Sequence, residues 1–161
     1  MQEAKDTFYI MLRDRLAAWN AGRTTVVRGG PRPAVLVNEN ELVSASQPAD
    51  LFCLRWTELR NVRGLISMLC EIHYATGGSP GSSGMDRGRL LAVMDAELAG
   101  TLNAAPQNVA LSNFIAGGNG VTLGSRIFWG DVLFGAARAE GERLERIATV
   151  EVFATAKERE L

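Results

Sequence analysis

Between Ala4 and Trp19 apolar residues recur at spacings of three and four, with Phe8, Met11, Leu12, Leu16 and Trp19 on one side and Lys5, Arg13 and Asp14 on the other. That spacing matches the helical repeat and predicts an amphipathic helix. Asn20 and Gly22, which tolerate left-handed backbone, are expected to end it. A turn at Gly29, Gly30 and Pro31 then leads into PAVLV at 33–37, a short β-branched run that predicts a strand. A polar turn at 38–41 and a loop at 44–50 separate it from LFCLRWT at 51–57, where Phe52, Leu54 and Trp56 would share a face. The longest alternating stretch is 65–76. It puts Ile66, Met68, Cys70, Ile72 and Tyr74 on one face and Leu65, Ser67, Leu69, Glu71 and His73 on the other, so one face of the sheet is expected dry and the other mixed.

GGSPGSSG at 77–84 breaks all periodicity and is expected to be an exposed, mobile excursion. The helical period returns over 85–102, with Leu90, Leu91, Met94, Leu98 and Leu102 in a stripe and Asp86, Arg87, Arg89 and Asp95 expected in solvent; Asn103 and Pro106 close it. A second glycine-rich region, 116–125, reads as a turn or long hairpin loop. Strands are predicted at 126–134 and 147–156, separated by a charged stretch at 138–146, and the terminal KEREL is expected to fray. The order α-β-β-β-α-β-β clusters its strands instead of alternating them with helices. This predicts an α+β fold, a mainly antiparallel sheet with two helices packed on one face, in a single domain over 1–161.

Composition narrows the classes of function. The 161 residues are 47% hydrophobic and 22% charged, values of a globular chain. Seventeen basic residues nearly cancel eighteen acidic ones, so there is no net positive field to hold a nucleic-acid backbone. No run approaches the roughly 20 apolar residues that span a bilayer, and Met1–Asp6 has no signal-peptide character, so no membrane partner is expected. Cys53 and Cys70 lie in apolar runs and are expected to be buried thiols, as suits the cytoplasm.

Candidate chemistry is sparse. His73 is the only histidine, and the two cysteines lack metal-site spacing, so no metal is expected. Segment 77–87 contains no Lys followed by Ser or Thr, which removes the phosphate-loop reading, and no cofactor is expected. Glu39 and Glu41 belong to a polar turn, and Glu140, Glu142 and Glu145 alternate with arginines in a stretch expected to be solvated. Arg55, Arg60 and Arg63 surround a connection between strands, where they could receive acidic groups of a partner or serve solubility alone. Trp19 and Trp56 are expected in the core. Trp129, beside Gly130 and Asp131 in a strand that could be an edge, is a candidate interface anchor, with the core as the commoner fate of such a ring.

Several stretches taken together resemble the tail terminator proteins (minor tail or tail completion proteins) of long-tailed bacteriophages and related particles. They are the opening FYIMLRDRLAAWN, RTTVVRGGPRPAVLV with the acidic NENE, the pair LFCLRWTE and LISMLCEIHYATGG, the glycine-rich break, and MDRGRLLAVMDAEL before closing strands. The resemblance implies a non-enzymatic virion protein. Such a subunit forms a hexameric ring with copies of itself, caps the tail tube built of the major tail protein, and offers a head-tail joining surface at the neck, after assembly in the host cytoplasm. A long loop or hairpin reaching the tube would lie in 58–64, 77–84 or 116–125. The candidate interface residues are accordingly Arg60, Asn61 and Arg63; Ser79, Pro80 and Ser82; Asn119; and, in the following strand, Arg126 and Trp129. Long glycine-rich stretches and the connection at 138–146 set the chain apart from shorter members. Two alternatives stay open: another neck or head-completion subunit, and a small-molecule-binding enzyme using His73 and Glu71 in an apolar pocket.

Overall fold

The computed structural model describes residues 2–27, 29–37, 48–102, 109–116 and 121–155. Asn119, the turn at 38–41, most of the 44–50 loop, Asn103, Pro106 and the KEREL tail lie outside the described residues. The first helix, α1 (Gln2–Trp19), buries Ala4, Phe8, Met11, Leu12 and Leu16 along the expected stripe. Trp19 departs from it. As the last residue of the helix it is 58% exposed, and its ring lies against Gly100, where any Cβ would collide with it. Neither Asn20 nor Gly22 takes the left-handed backbone expected of them. Instead the Asn20 side chain accepts a hydrogen bond from the Gly22 amide at 3.1 Å, an Asx turn that ends the helix without positive φ.

The turn at Gly29 belongs to a hairpin that the sequence reading missed. Strand β1 (Thr24–Val27) pairs antiparallel with β2 (Gly30–Pro33) as a separate two-stranded ribbon, with Gly29 at φ 79°. The expected strand at 33–37 therefore shortens to β3 (Val35–Val37), which pairs in parallel with β4 (Phe52–Val62). An antiparallel hairpin joins β4 to β5 (Leu65–Thr76). Its turn is Arg63 and Gly64, with φ of 53° and 82°, the pair of positive angles that a type I′ turn requires. Two turn residues suffice, so of the loop or hairpin expected at 58–64 the structure has the hairpin, with most of the segment in strand. A bulge between Trp56 and Glu58 shifts the register midway.

After turns at 79–86 the second helix, α2 (Arg87–Leu102), buries Leu91, Met94, Leu98 and Leu102 as expected. Strands β6 (Val109–Ala116) and β7 (Val121–Trp129) form a hairpin around the expected 116–125 turn, and much of that presumed loop is strand. Gly130 interrupts the strand expected at 126–134, leaving β8 (Leu133–Phe134) as a short separate piece. The charged connection at 138–146 is also strand. It folds as a hairpin between β9 (Arg138–Glu140) and β10 (Arg143–Thr155), with Gly141 at φ 59° supplying the turn.

The main sheet runs β3-β4-β5-β10-β7-β6, with β8 and β9 also paired to β10, and all its pairings but β3–β4 are antiparallel. Both helices cover one face. Their apolar sides meet Phe52, Leu54, the even-numbered residues Ile66–Tyr74, Ile127, and Ala148, Val150, Val152 and Ala154 in one core. The fold is α+β with two helices over a mainly antiparallel sheet, as the clustering of strands implied. The β5 alternation matches the expected faces residue by residue. Phe8 fills the centre, edge-on to Trp56 at 5.7 Å and Trp129 at 6.2 Å. Cys53 and Cys70 are free and buried. Among the described residues no helix is long and apolar enough to cross a membrane.

Two polar clusters tie helices to strands where solvated side chains were expected or no role was assigned. Glu97 on α2 is buried and accepts from Arg23 Nε at 2.7 Å, Arg23 Nη2 at 2.9 Å and Asn20 Nδ2 at 2.8 Å. Asp95, expected in solvent, is partly buried and accepts from the Tyr74 hydroxyl and from Arg146 Nε at 2.9 Å. Burial, then the Asp95 carboxylate, pushes the Tyr74 phenol far above its usual range, so it serves as a permanent donor.

Candidate functional site

The other sheet face has no helix over it; its β3–β4 end is buried in a small cluster of Ala34, Leu36, Leu51 and Cys53, and strand register fixes what the rest shows. One row runs Arg60, Ser67, Phe153 and Phe128; the next pairs Glu58, Leu69 and Glu151; a third brings together Arg55, Glu71, Thr149 and Leu133; a fourth holds Cys53, His73 and Ile147. Large apolar side chains stay open there, including Phe128, Ile147 and, at 67% exposure, Leu133. Polar pairs lie between them: Ser67 donates to Glu151 at 2.6 Å, and His73 Nε2 lies 2.8 Å from Glu71 Oε1. The face is mixed, as the alternation in β5 predicted.

The sequence-derived interface residues do not form one patch. Arg60, Asn61 and Arg63 sit exposed at the β4–β5 tip, where Arg60 pairs with Glu58 at 3.3 Å. Arg126 joins them: its neighbour Ile127 stands in the row Asn61, Ile66, Ala154, Ile127, so Arg126 is exposed at the same end of the sheet. Ser79, Pro80 and Ser82 lie beyond the opposite end of β5. Trp129 takes the core place that is the commoner fate of such a ring, and its candidacy as an interface anchor falls. Its strand runs between β10 and β6 and is no edge, the ring is 4% exposed, and Nε1 donates to the Leu102 carbonyl at 2.8 Å. Helix α2 ends at that carbonyl, one of the last-turn acceptors without a partner inside the helix. The tryptophan is a cap and core residue, not an exposed anchor.

The glycine-rich 77–84 segment, expected to be a mobile excursion, is folded on itself. Asp86 accepts from the Ser79 amide at 3.0 Å and from the Ser79 hydroxyl, while Ser82 donates to the Ser79 carbonyl at 2.8 Å. The hydrogen bonds from Ser79, side chain first and backbone second, lower the Asp86 pKa from 3.8 to about 2. A depressed folded pKa means this knot is at full strength above the ordinary aspartate value near pH 3.8 and loosens as pH falls through about 2. Hydrogen exchange at the Ser79 amide should accordingly stay protected at pH 3, and Asp86→Asn should remove that protection at neutral pH. Equal exchange in both proteins would count against the assignment.

At this same end of the sheet a cavity of about 760 Å³ opens beside β9 and β10, lined by His73, Tyr74 and Ile147, by Arg138, Arg143 and Arg146 against Glu140 and Glu145, and by neighbouring small residues. Hairpin pairing sets Glu140 opposite Arg143 and Arg138 opposite Glu145. Arg138, however, pairs along its own strand with Glu140 at 3.1 Å. A hydrogen bond joins the Glu140 and Glu145 carboxyls, which raises the pKa of Glu145 and lowers that of Glu140. The arrangement can hold one proton between two acceptors, or replace it with a cation. Glu140 is exposed, as the sequence reading had it, and Glu145 is half-buried. A signal was present in Glu140-Gly141-Glu142-Arg143, where glycine at the first of two central positions marks a type II′ hairpin.

No protein-family model matches this chain, and a search of curated proteins returns no match. Among the described residues no group of three or more His, Cys, Asp or Glu side chains is placed to hold a metal ion. The open sheet face, the basic tip and the cavity at the far end are therefore weighed on their own chemistry.

Proposed function

We propose that this chain is a structural assembly subunit of the tail-terminator kind, a virion protein that joins copies of itself into a hexameric ring. The ring caps a tail tube and presents a head-joining surface. The observation that carries the reading is the part of that sheet face that stands open. Phe128, Leu133 and Ile147 stand on it open to solvent, and apolar side chains grouped on one face are what a protein partner covers. The exposed β4–β5 tip adds a basic turn, Arg60 and Arg63, at one end of the sheet. Different surfaces at the two ends of one sheet suit a head-to-tail contact, which closes into a ring when its rotation permits. The resemblance in element order described above points the same way.

Sedimentation and light scattering of the purified chain, with negative-stain microscopy, test it. The expected result is a ring of fixed stoichiometry with a central hole, formed alone or on added tail tubes. A protein that stays monomeric over the whole accessible concentration range and ignores tubes overturns the reading. A second reading, an enzyme acting on a small molecule, draws on the cavity, whose volume falls in the range of ligand pockets. Of its two nominated residues, His73 lines the cavity and Glu71 does not.

A further inference from the structure

An open strand edge presents main-chain donors and acceptors that another strand can take up. Among the described residues the main sheet has three long stretches of open edge, and two of them carry features that keep strands away. β3 covers β4 only over 52–54; the open remainder holds Arg55, Glu58, Arg60 and the bulge. β7 outruns β10 beyond Ile127, and that stretch holds Gly124 and Arg126. β6, the last strand of the order, has no such device: VALSNFIA contains no charge, proline or glycine over eight residues. The β1–β2 ribbon has an open edge as well. Thr24 and Val26 stand opposite Pro33 and Pro31, which have no N–H to give, so the main-chain groups of Thr24 and Val26 face away from β2. Both residues are exposed, and no described residue hydrogen-bonds to those groups. The same prolines leave the outer edge of β2 short of donors. Because the ribbon leads directly into β3, it lies on the side of the sheet away from β6, roughly 24 Å across at about 4.8 Å per strand spacing.

We propose that the open edge of β6 in one copy of this chain pairs with the outer edge of β1 in a second copy, so that the ribbon of each subunit continues the sheet of its neighbour. Strand addition of this kind draws its affinity from main-chain hydrogen bonds, and neither partner sets a charge against it: β6 is uncharged, and β1 is TTVV. The prolines of β2 fix which strand of the ribbon can be added. Each copy carries the two edges on opposite sides, so the contact is head-to-tail and repeats from subunit to subunit. Pairing of β6 with β6 would instead stop at two copies. This inference rests on the ring reading above and specifies the contact that builds it.

The test uses the full chain. Val26→Pro removes an outward N–H while the bonds between β1 and β2 stay in place, and Val26→Ala keeps that N–H. In sedimentation Val26→Pro is expected to weaken association about tenfold or more, and Val26→Ala to change it by about twofold at most. Unchanged circular dichroism and thermal melts in both variants establish that folding is intact. In parallel, Val26→Cys is mixed and oxidised with proteins carrying one cysteine at each of positions 110–115 in turn; the native cysteines are buried. A covalent heterodimer is expected in at least one mixture and from none of the proteins alone. A homodimer formed by a β6 variant alone would mean that two β6 edges pair with each other, which overturns the place given to β1. If the wild type forms rings but no mixture cross-links and Val26→Pro assembles as well as Val26→Ala, this inference is overturned while the ring reading stands. If the wild type never associates, alone or on tubes, both fall together.

Discussion

Replacing Glu97 by alanine is expected to destabilise the protein by about 3 to 5 kcal/mol, the range for removing one member of a buried ion pair. Its carboxylate is nearly inaccessible and receives three donors, two from Arg23 and one from Asn20. Alanine would leave the Arg23 guanidinium charged, largely buried and without its partner, since its remaining contacts among the described residues are a 3.4 Å bond to the Asp50 carbonyl and the face of Phe52. The consequence extends past the helix. Arg23 starts the segment that leads into the β1–β2 ribbon, and its carbonyl accepts from Ala34 just before β3, so this pair anchors the ribbon to α2. Urea denaturation of Glu97→Ala measures the loss directly. Replacing Glu97 and Arg23 together by methionine should recover most of it, because the penalty lies in the orphaned charge more than in the missing attraction. A double variant as unstable as the single one would show that the pair itself, and not the unpaired cation, carries the energy.

The second large effect is expected at Phe8. Its ring is fully buried at the meeting point of α1 with Trp56 on β4 and Trp129 on β7. Phe8→Ala removes the aromatic contacts and leaves a cavity that three elements from distant parts of the chain cannot close together, costing about 3 to 5 kcal/mol. Trp19→Ala is the informative contrast. That ring is larger but mostly exposed and rests on Gly100, so its truncation should cost well under half as much. Both belong to one apolar stripe in the sequence. Thermal melts of the two variants separate them, and equal losses would mean that the end of α1 is packed as tightly as its middle.

The difference between these two residues shows where sequence periodicity stops informing. Spacing places Trp19 with Leu16 and Leu12, but a helical face has meaning only as far as another element lies opposite it. Trp129 errs in the other direction. Beside Gly130 and Asp131 it reads as a possible edge residue, yet β6 lies outside it and the end of α2 supplies a carbonyl for its indole. The β6 pairing partner comes from a stretch whose strand character the sequence reading did not register. RAEGERLER reads as a solvated charge run, and it is exposed or half-buried throughout; what the sequence reading missed is that it is strand. Only pairing of β9 with β10 brings Glu140 and Glu145 together, and only the β5–β10 register sets Glu145 near His73. The tip residues were easier to find. Arg60, Asn61 and Arg63 are exposed as expected, since a short connection between two long strands has little else to do.

Local pattern by itself determined the class of this fold: two amphipathic helices, a long alternating β5 with one dry face, buried thiols, and strands clustered so as to favour antiparallel pairing. These follow from side-chain period, which is a property of neighbours in the chain. Tertiary structure alone decided which strand ends became edges, which carboxylates were drawn into the interior as ion-pair partners, and which charges met across a hairpin. Such outcomes depend on contacts between residues 50 to 80 positions apart, as in Arg23 with Glu97 and Asp95 with Arg146. No period in the sequence encodes a contact of that kind, because its energy arises only after the elements have packed.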